Sequence, residues 1–217
     1  MPTTPTRRPR RSAHDTREHI LAVAHDLFHF EGIRATGIDR VAERAQVAPA
    51  TLYRLFASKD ELVAAYVERC SDRYRAVLGA AAAGAGTPRQ RITGVFEAFA
   101  QEIRSGSCRG CPFLMVLSEY PDPSSAPHVL AVSHKAWLRE LLRGLARELS
   151  KIADLRDPDG LADQLALIAE GMYGSAQALG AAGPTSHGPA AAAALIDAAL
   201  QGPGRRSAVP VVPDTTR

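Results

Sequence analysis

Several features are scarce in this 217-residue chain, and each scarcity excludes a class of protein. The three cysteines are an odd number in a long chain, which argues against a disulfide scaffold. No apolar run approaches the roughly 18 to 20 residues of a membrane-spanning helix, so no membrane association is predicted. The charged segment 1–11 is followed by polar residues and not by the apolar core of a signal peptide. We therefore expect a cytoplasmic protein.

Strand and active-site signals are also missing. No segment shows the sustained alternation of apolar and polar residues that a half-buried strand requires, whereas 39 residues are alanine. This composition predicts an all-α protein. No Ser-His-Asp spacing, glycine-rich phosphate loop or carboxylate pair stands out, so no catalytic residue, cofactor or metal site is predicted.

The net charge of +3 is too small to indicate nucleic-acid binding by itself, but its distribution is uneven. Four arginines lie within residues 7–11, among prolines and threonines that disfavour regular structure. We expect residues 1–14 to be a disordered basic arm that either contacts a polyanion or only improves solubility. Residues 202–217 lack a periodic pattern and are expected to form a disordered tail.

Residues 15–60 predict a compact group of short helices. The first helix is expected from residue 15 or 16 to about 31, with Gly32 as its C-terminal cap. A second begins at Thr36, whose hydroxyl is expected to cap the next amides. After a turn of about four residues, Pro49 opens a third helix. Ser58 and Glu61 form a capping box for a fourth helix, which runs to about residue 78 and links two domains.

The second and third predicted helices have the spacing of a helix-turn-helix, a unit whose second helix lies in the major groove of DNA. We expect the third helix to approach base edges closely because its first residues are small, and to offer hydroxyls and a guanidinium for readout. A phosphate is expected at the start of the second helix, and a lysine follows the third helix. The predicted DNA-binding residues are Thr36, Ala48, Pro49, Ala50, Thr51, Tyr53, Arg54 and Lys59.

The run FHFEGIRATGIDRVAERAQVAPATLYRLFASKDEL resembles the DNA-binding domain of the TetR family of bacterial transcriptional regulators. The resemblance covers about residues 16–62 and includes L-F-x-x-x-G, A-x-x-A-x-V and T-L-Y-x-x-F-x-S-K-x-x-L. It implies that the third helix lies in the groove, with Tyr53 and Lys59 on the DNA backbone. One departure is Gln46, at a turn position where the family usually has glycine. A left-handed backbone there would cost about 1 kcal/mol.

Residues 61–201 predict a larger helical domain, for which the resemblance implies dimerisation and ligand binding. The eighth predicted helix, about residues 158–179, carries two adjacent stripes. One has large apolar residues, and the other, a small-residue stripe, has Ala162, Ala166, Ala169, Tyr173, Ala176 and Gly180. We expect the small-residue stripe, with an alanine-rich ninth helix, to form a homodimer interface. The alternative is that these two helices pack only within one chain.

A small-molecule effector is expected in the apolar interior of this domain. The candidate residues are the aromatic and sulfur-containing side chains of the fifth to seventh helices and two polar residues beside them. They are Phe96, Phe99, Phe113, Met115, Glu119, His134 and Trp137. The alternative interpretation makes the apolar residues ordinary core and the polar residues surface positions, and the sequence does not identify the effector.

Cys108 and Cys111 have C-x2-C spacing. They can be structural thiols at a helix start, a redox or electrophile sensor, or half of a metal site. A helical thiol redox enzyme similar to AhpD is the enzyme alternative, but such proteins have a histidine soon after the second cysteine, where this chain has Leu114 and Met115.

The predicted function is therefore a sequence-specific DNA-binding regulator, a homodimeric repressor that a small molecule releases from a pseudo-palindromic duplex.

Overall fold

The structure is a computed structural model that describes residues 12–104 and 109–201. These residues form nine α-helices and two short 3-10 helices, with no strand among them, which confirms the all-α prediction. The helices are α1 (Ala13–Glu31), α2 (Ile38–Arg44), α3 (Pro49–Leu55), α4 (Lys59–Ala82), α5 (Pro88–Arg104), α6 (Pro112–Glu119), α7 (Ala126–Ser150), α8 (Pro158–Leu179) and α9 (Gly188–Gln201). The basic arm up to Arg11, the tail after Gln201 and Cys108 lie outside the described residues.

The first helix begins before the predicted residue. Ser12 is its N-cap and accepts a hydrogen bond from the backbone N–H of Asp15, while the Asp15 carboxylate accepts one from the N–H of Ser12. These hydrogen bonds lower the pKa of the Asp15 carboxyl below its usual range. At the other end Gly32 has φ +99°, as expected for the glycine that ends the helix.

The fourth helix is longer than predicted. It continues through Gly79 to Ala82, beyond the predicted end at about residue 78. Alanine has the highest helix propensity, and Leu78 and Ala82 are both buried, so packing and propensity together extend the helix by a turn. No helix in the described part of the chain is long and apolar enough to cross a membrane.

The long fourth helix connects the two ends of the molecule. It packs against α1 at its start and against α5, α6 and α7 along its length. The remaining helices form a bundle in which α8 packs on α7 and α9 packs on both α5 and α8. One continuous apolar core runs from Ile20 in α1 to Ile196 in α9.

The small-residue stripe of α8 faces the interior, so its assignment to a dimer interface is wrong. Ala162, Ala169 and Ala176 are buried within the chain, because α8 packs its alanine face on neighbouring helices of its own bundle. The exposed residues lie on the opposite side of α8, and they include Leu167, which is 71% exposed, and two glycines, Gly171 and Gly174.

Candidate nucleic-acid interface and its contacts with the helical domain

The turn between α2 and α3 contains a strained residue. Gln46 has φ +54°. This is the left-handed backbone conformation considered above for this turn position. The backbone N–H of the next residue, Val47, donates to the carbonyl of Ala42 at 3.0 Å and fixes the turn. The chain therefore adopts a helix-turn-helix at a conformational cost of about 1 kcal/mol that a glycine would avoid.

The third helix has one buried and one exposed face. Ala48 is its extended N-cap and Pro49 occupies its first turn, where the missing N–H costs no hydrogen bond. Leu52 and Phe56 are fully buried and anchor the helix to the core. The predicted contact residues that lie exposed on the other side are Ala48, Pro49, Ala50, Tyr53 and Arg54.

Two further predicted contact residues lie at the edge of this surface. Thr51 and Lys59 are half-buried. Lys59 begins α4 directly after its N-cap, Ser58, whose hydroxyl accepts from the backbone N–H of Glu61 at 3.1 Å. The Lys59 ammonium donates to the carbonyl of Arg34 at 3.4 Å. Arg54 lies exposed on α3.

The prediction for Thr36 is wrong. The N-cap of α2 is Gly37, and Thr36 is only 1% exposed. Its hydroxyl donates to the carbonyl of Gly32 at 2.8 Å, so it neither caps α2 nor lies at the surface where a phosphate would dock. The Thr36 hydroxyl thus bonds to the carbonyl at the end of α1. Sequence spacing alone does not distinguish this carbonyl from the amides of α2 as the partner.

Glu119 also has a different role from the one expected. Its carboxylate, at the end of α6, accepts hydrogen bonds from the backbone N–H groups of Ile33 and Arg34 at 3.0 and 2.6 Å. The Arg34 guanidinium donates in return to the Glu119 carbonyl at 2.8 Å. Glu119 therefore holds the segment between α1 and α2, and its carboxylate is occupied by the protein itself.

Two neighbouring contacts reinforce this attachment. The hydroxyl of Tyr120 donates to the carboxylate of Asp60 at 2.9 Å, and the backbone N–H of Arg109 donates to the Nε2 atom of His29 at 2.9 Å. Burial and the Asp60 carboxylate raise the pKa of the Tyr120 hydroxyl. No sequence signal predicts these contacts, because 60 to 80 residues separate the partners.

The other predicted effector residues pack against one another. The rings of Phe113 and His134 are stacked, with centroids 3.7 Å apart, and Trp137 lies beside them. The Nδ1 atom of His134 lies 3.1 Å from the hydroxyl of Ser71. Burial lowers the pKa of His134 to about 3, so the ring is neutral at pH 7. Phe96 and Phe99 are buried core, and Met115 is half-buried.

The described cysteine of the C-x2-C pair is Cys111, the buried N-cap of α6. Its sulfur lies 3.1 Å from the Lys135 ammonium, which also contacts both carboxylate oxygens of Glu170 at 2.7 Å. In the described ranges no group of three or more His, Cys, Asp or Glu side chains is arranged to hold a metal ion. Cys111 thus joins α6 to α7 and α8.

Comparison with known proteins places this geometry in context. Residues 20–66 match the model for "Bacterial regulatory proteins, tetR family", which covers α2, α3 and most of α1. The chain is 32% identical over 95 residues to the HTH-type transcriptional regulator TcmR of Streptomyces glaucescens, an alignment that spans 44% of this chain and 42% of TcmR. The chain thus aligns with less than half the length of that relative.

Solved structures are similar over most of the chain. A putative TetR transcriptional regulator from Streptomyces avermitilis has 30% identity and a TM-score of 0.72, covering 85% of this chain and 97% of that one. SCO4454, a TetR-family transcriptional regulator from Streptomyces coelicolor, has 28% identity and a TM-score of 0.76, covering 86% of this chain and 94% of that one. The similarity therefore includes both the helix-turn-helix and the helical bundle.

Proposed function

Because the chain belongs to the TetR family of bacterial helix-turn-helix transcriptional regulators, we propose that it binds a specific DNA duplex as a homodimer and that a small-molecule effector releases it. TetR-family regulators bind DNA, act as dimers and are not enzymes. The prediction of a transcriptional regulator is thereby confirmed, and the thiol redox enzyme has no support.

The exposed face of α3 is the observation that carries the proposed DNA contact. Leu52 and Phe56 fix the helix to the core, so Tyr53 and Arg54 are held outward together with the small residues at the helix start. An α-helix with small residues at its start and an exposed arginine fits the major groove of B-DNA. The small residues allow close approach, and the arginine can donate two hydrogen bonds to guanine. Tyr53 and Lys59 are proposed to contact the backbone.

The proposed dimer uses the exposed side of α8 and not its buried stripe. A Cβ atom at Gly171 or Gly174 would have no other atom within 4 Å. The packing of a single chain therefore does not require glycine at either position. Glycine in a helix interior costs about 1 kcal/mol relative to alanine. We infer that a helix of a second copy approaches closely here, beside the exposed Leu167 and the alanines of α9.

Two-fold symmetry then determines the kind of DNA site. One α3 per subunit reads one half-site, so the operator is pseudo-palindromic, with half-site centres about one helical turn, roughly 34 to 36 Å, apart or slightly more. Such a regulator works where the chromosome is, which is the cytoplasm of a bacterium. Repression is the simplest outcome, because an occupied operator excludes other proteins.

Selection of bound duplexes from a random pool tests this proposal. The purified chain is expected to enrich a pseudo-palindrome, and one dimer is expected to retard one duplex. Enrichment of no common sequence, or binding by a single chain to a single half-site, would contradict the proposal. Compounds that release the selected duplex then identify the effector.

A further inference from the structure

The end of α6 contacts the helix-turn-helix at two places that adjoin Lys59. The Glu119 carboxylate accepts the backbone N–H of Arg34, in the loop before α2, at 2.6 Å. The hydroxyl of Tyr120 donates to the carboxylate of Asp60, the residue that follows Lys59 in α4, at 2.9 Å. The Lys59 ammonium itself donates to the Arg34 carbonyl at 3.4 Å. Both contacts from α6 therefore reach groups beside the lysine that is proposed to bind the DNA backbone.

The contact with the loop fixes backbone atoms and not only side chains. The Glu119 carboxylate accepts from two successive N–H groups, those of Ile33 and Arg34, and the Arg34 guanidinium donates to the Glu119 carbonyl at 2.8 Å. Three hydrogen bonds thus hold the loop to the last residue of α6. The Arg34 carbonyl, which accepts from Lys59, belongs to the same loop. Glu119 therefore determines where the internal acceptor of the Lys59 ammonium lies.

The contact with Asp60 has an electrostatic consequence. Asp60 is exposed and adjoins the proposed phosphate contact, and its carboxylate has the same sign of charge as a phosphate. The Tyr120 hydroxyl keeps this carboxylate against the end of α6. A carboxylate released from Tyr120 is able to pair with the Lys59 ammonium in place of a phosphate, since charged acceptors bind an ammonium strongly.

Both partners of the bond between Tyr120 and Asp60 lie on anchored segments. The backbone N–H of Tyr120 donates to the carbonyl of Val116 at 2.7 Å, and its carbonyl accepts from the Nδ1 atom of His128, in α7, at 2.7 Å. Asp60 lies in the first turn of α4, which the side chain of Ser58 caps. The hydrogen bond therefore joins the bundle to the first turn of α4 in a defined position.

We propose that Glu119 and Tyr120 are positioning residues for the contact of Lys59 with the DNA backbone. Glu119 places the loop whose carbonyl holds the Lys59 ammonium, and Tyr120 holds the Asp60 carboxylate away from the phosphate. Both residues act through Lys59 and do not themselves touch DNA. Because a phosphate carries no sequence information, they set the affinity for every duplex and not the preference for one. This proposal rests on the proposed function.

Tyr120→Phe is the smallest change that tests the proposal, since it removes one hydroxyl and keeps the ring. The affinities for the selected operator and for an unrelated duplex are expected to fall alike, by about two- to tenfold, the effect of one lost hydrogen bond. The salt slope is expected to decrease by at most about one unit, because one phosphate contact is weakened. A changed preference for the operator, or unchanged affinity for both duplexes, would overturn the proposal.

Two further single variants accompany this measurement. Glu119→Gln removes the charge that binds the loop and keeps one acceptor oxygen, and it is expected to weaken both duplexes in the same way. Ser118→Ala is the control, because the Ser118 hydroxyl is exposed and donates only within α6, to the carbonyl of Leu114. It is expected to leave both affinities unchanged, and a loss equal to that of Tyr120→Phe would contradict the proposal.

Combination with Lys59→Ala separates positioning from a general structural effect. In the Lys59→Ala chain, Tyr120→Phe is expected to cause no further loss of affinity, because the contact that it positions is already absent. In the Arg54→Ala chain, it is expected to weaken binding by the same factor as in the unmodified chain. Equal losses in the Lys59→Ala chain and in the unmodified chain would overturn the proposal, since a general structural effect does not depend on Lys59.

The same measurements distinguish this proposal from the proposed function. If Lys59→Ala weakens both duplexes and Tyr120→Phe weakens neither, the positioning role is wrong and the DNA-binding proposal stands. If Lys59→Ala has no effect while the operator is still recognised, the role of Lys59 is wrong, and the positioning role with it. If the unmodified chain selects no common duplex, both proposals are wrong.

Discussion

The carboxylate of Glu119 accepts the backbone N–H of Arg34 at 2.6 Å, and the guanidinium of Arg34 donates to the carbonyl of Glu119 at 2.8 Å. This reciprocal pair joins the last residue of α6 to the loop that precedes α2, 85 residues away in sequence. It gives the helical bundle a direct attachment to the helix-turn-helix, in addition to the covalent connection through α4. A change in α6 can therefore reach the DNA-binding helices over a short distance.

Removal of the Glu119 carboxylate is expected to destabilise the protein. Glu119→Ala leaves two backbone N–H groups of the α1–α2 loop without their acceptor, which corresponds to about 1 to 3 kcal/mol in the free energy of unfolding. Urea denaturation measures this change. Ser118→Ala is the neighbouring control, because the Ser118 hydroxyl is exposed and bonds only within its own helix, to the carbonyl of Leu114. Similar stabilities of the two variants would show that the attachment contributes little.

The strained turn offers a stabilising substitution. Gln46→Gly is expected to raise the free energy of unfolding by about 1 kcal/mol, because glycine adopts a positive φ without the steric penalty of a Cβ atom. Gln46→Ala retains that penalty and is expected to change stability by less than about 0.5 kcal/mol. Thermal unfolding of both variants is the measurement. A glycine variant no more stable than the alanine variant would contradict the interpretation of this turn.

The prediction from sequence succeeded where signals are local and failed where partners are distant. Pro49 marked a helix start that the structure reproduces, because a proline at the first turn acts through its own backbone. The small residues Ala48, Pro49 and Ala50 at the start of α3 are exposed, as a close approach to DNA requires.

The failures have specific physical causes. Thr36 lies between two possible hydrogen-bond partners, and the carbonyl of Gly32 was the one that sequence spacing did not indicate. Glu119 was expected to face a ligand, but its partner Arg34 is remote in the chain. On α8 the small and large stripes are adjacent, so the pattern did not reveal which of them the chain itself buries, and Ala169 lies inside.

The α8 surface gives a prediction on assembly. Gly171→Arg places a long charged side chain at the proposed contact between two copies and is expected to convert the dimer to a monomer, which sedimentation velocity detects. Gly144→Arg is the control, since Gly144 is likewise an exposed helical glycine with space for a Cβ atom, but it lies among the exposed charged residues Glu140, Arg147 and Glu148 of α7 and not beside an exposed leucine. A dimer that survives the first substitution, or dissociates equally with the second, would contradict this interface.

Stability is expected to fall in mild acid. Burial lowers the pKa of His29 to about 4 and that of His134 to about 3, whereas both rings titrate near 6.5 in the unfolded chain. Between the folded and the unfolded pKa values, the unfolded state binds more protons than the folded state. The free energy of unfolding is therefore highest above pH 6.5 and decreases as the pH falls. Between the folded and unfolded pKa values, each histidine contributes a slope of about 1.4 kcal/mol per pH unit.

Urea denaturation at several pH values measures this slope. His134→Gln is expected to reduce the slope by about 1.4 kcal/mol per pH unit near pH 5, because this buried imidazole no longer titrates. His14→Gln removes a histidine whose side chain is 83% exposed and is expected to leave the slope unchanged. A slope that is insensitive to His134→Gln would show that the buried imidazole does not control acid stability.

The most direct test of the account measures how α3 and α4 divide the DNA contacts. Affinity for the selected operator and for an unrelated duplex is determined at several salt concentrations for the unmodified protein, Arg54→Ala and Lys59→Ala. Arg54→Ala is expected to lower the preference for the operator by about 1 to 3 kcal/mol, the value of a lost base contact. Lys59→Ala is expected to weaken both duplexes alike and to reduce the salt slope by about one unit. Unchanged operator affinity in both variants, and also in Thr51→Ala and Tyr53→Ala, would contradict the assignment of this surface to DNA.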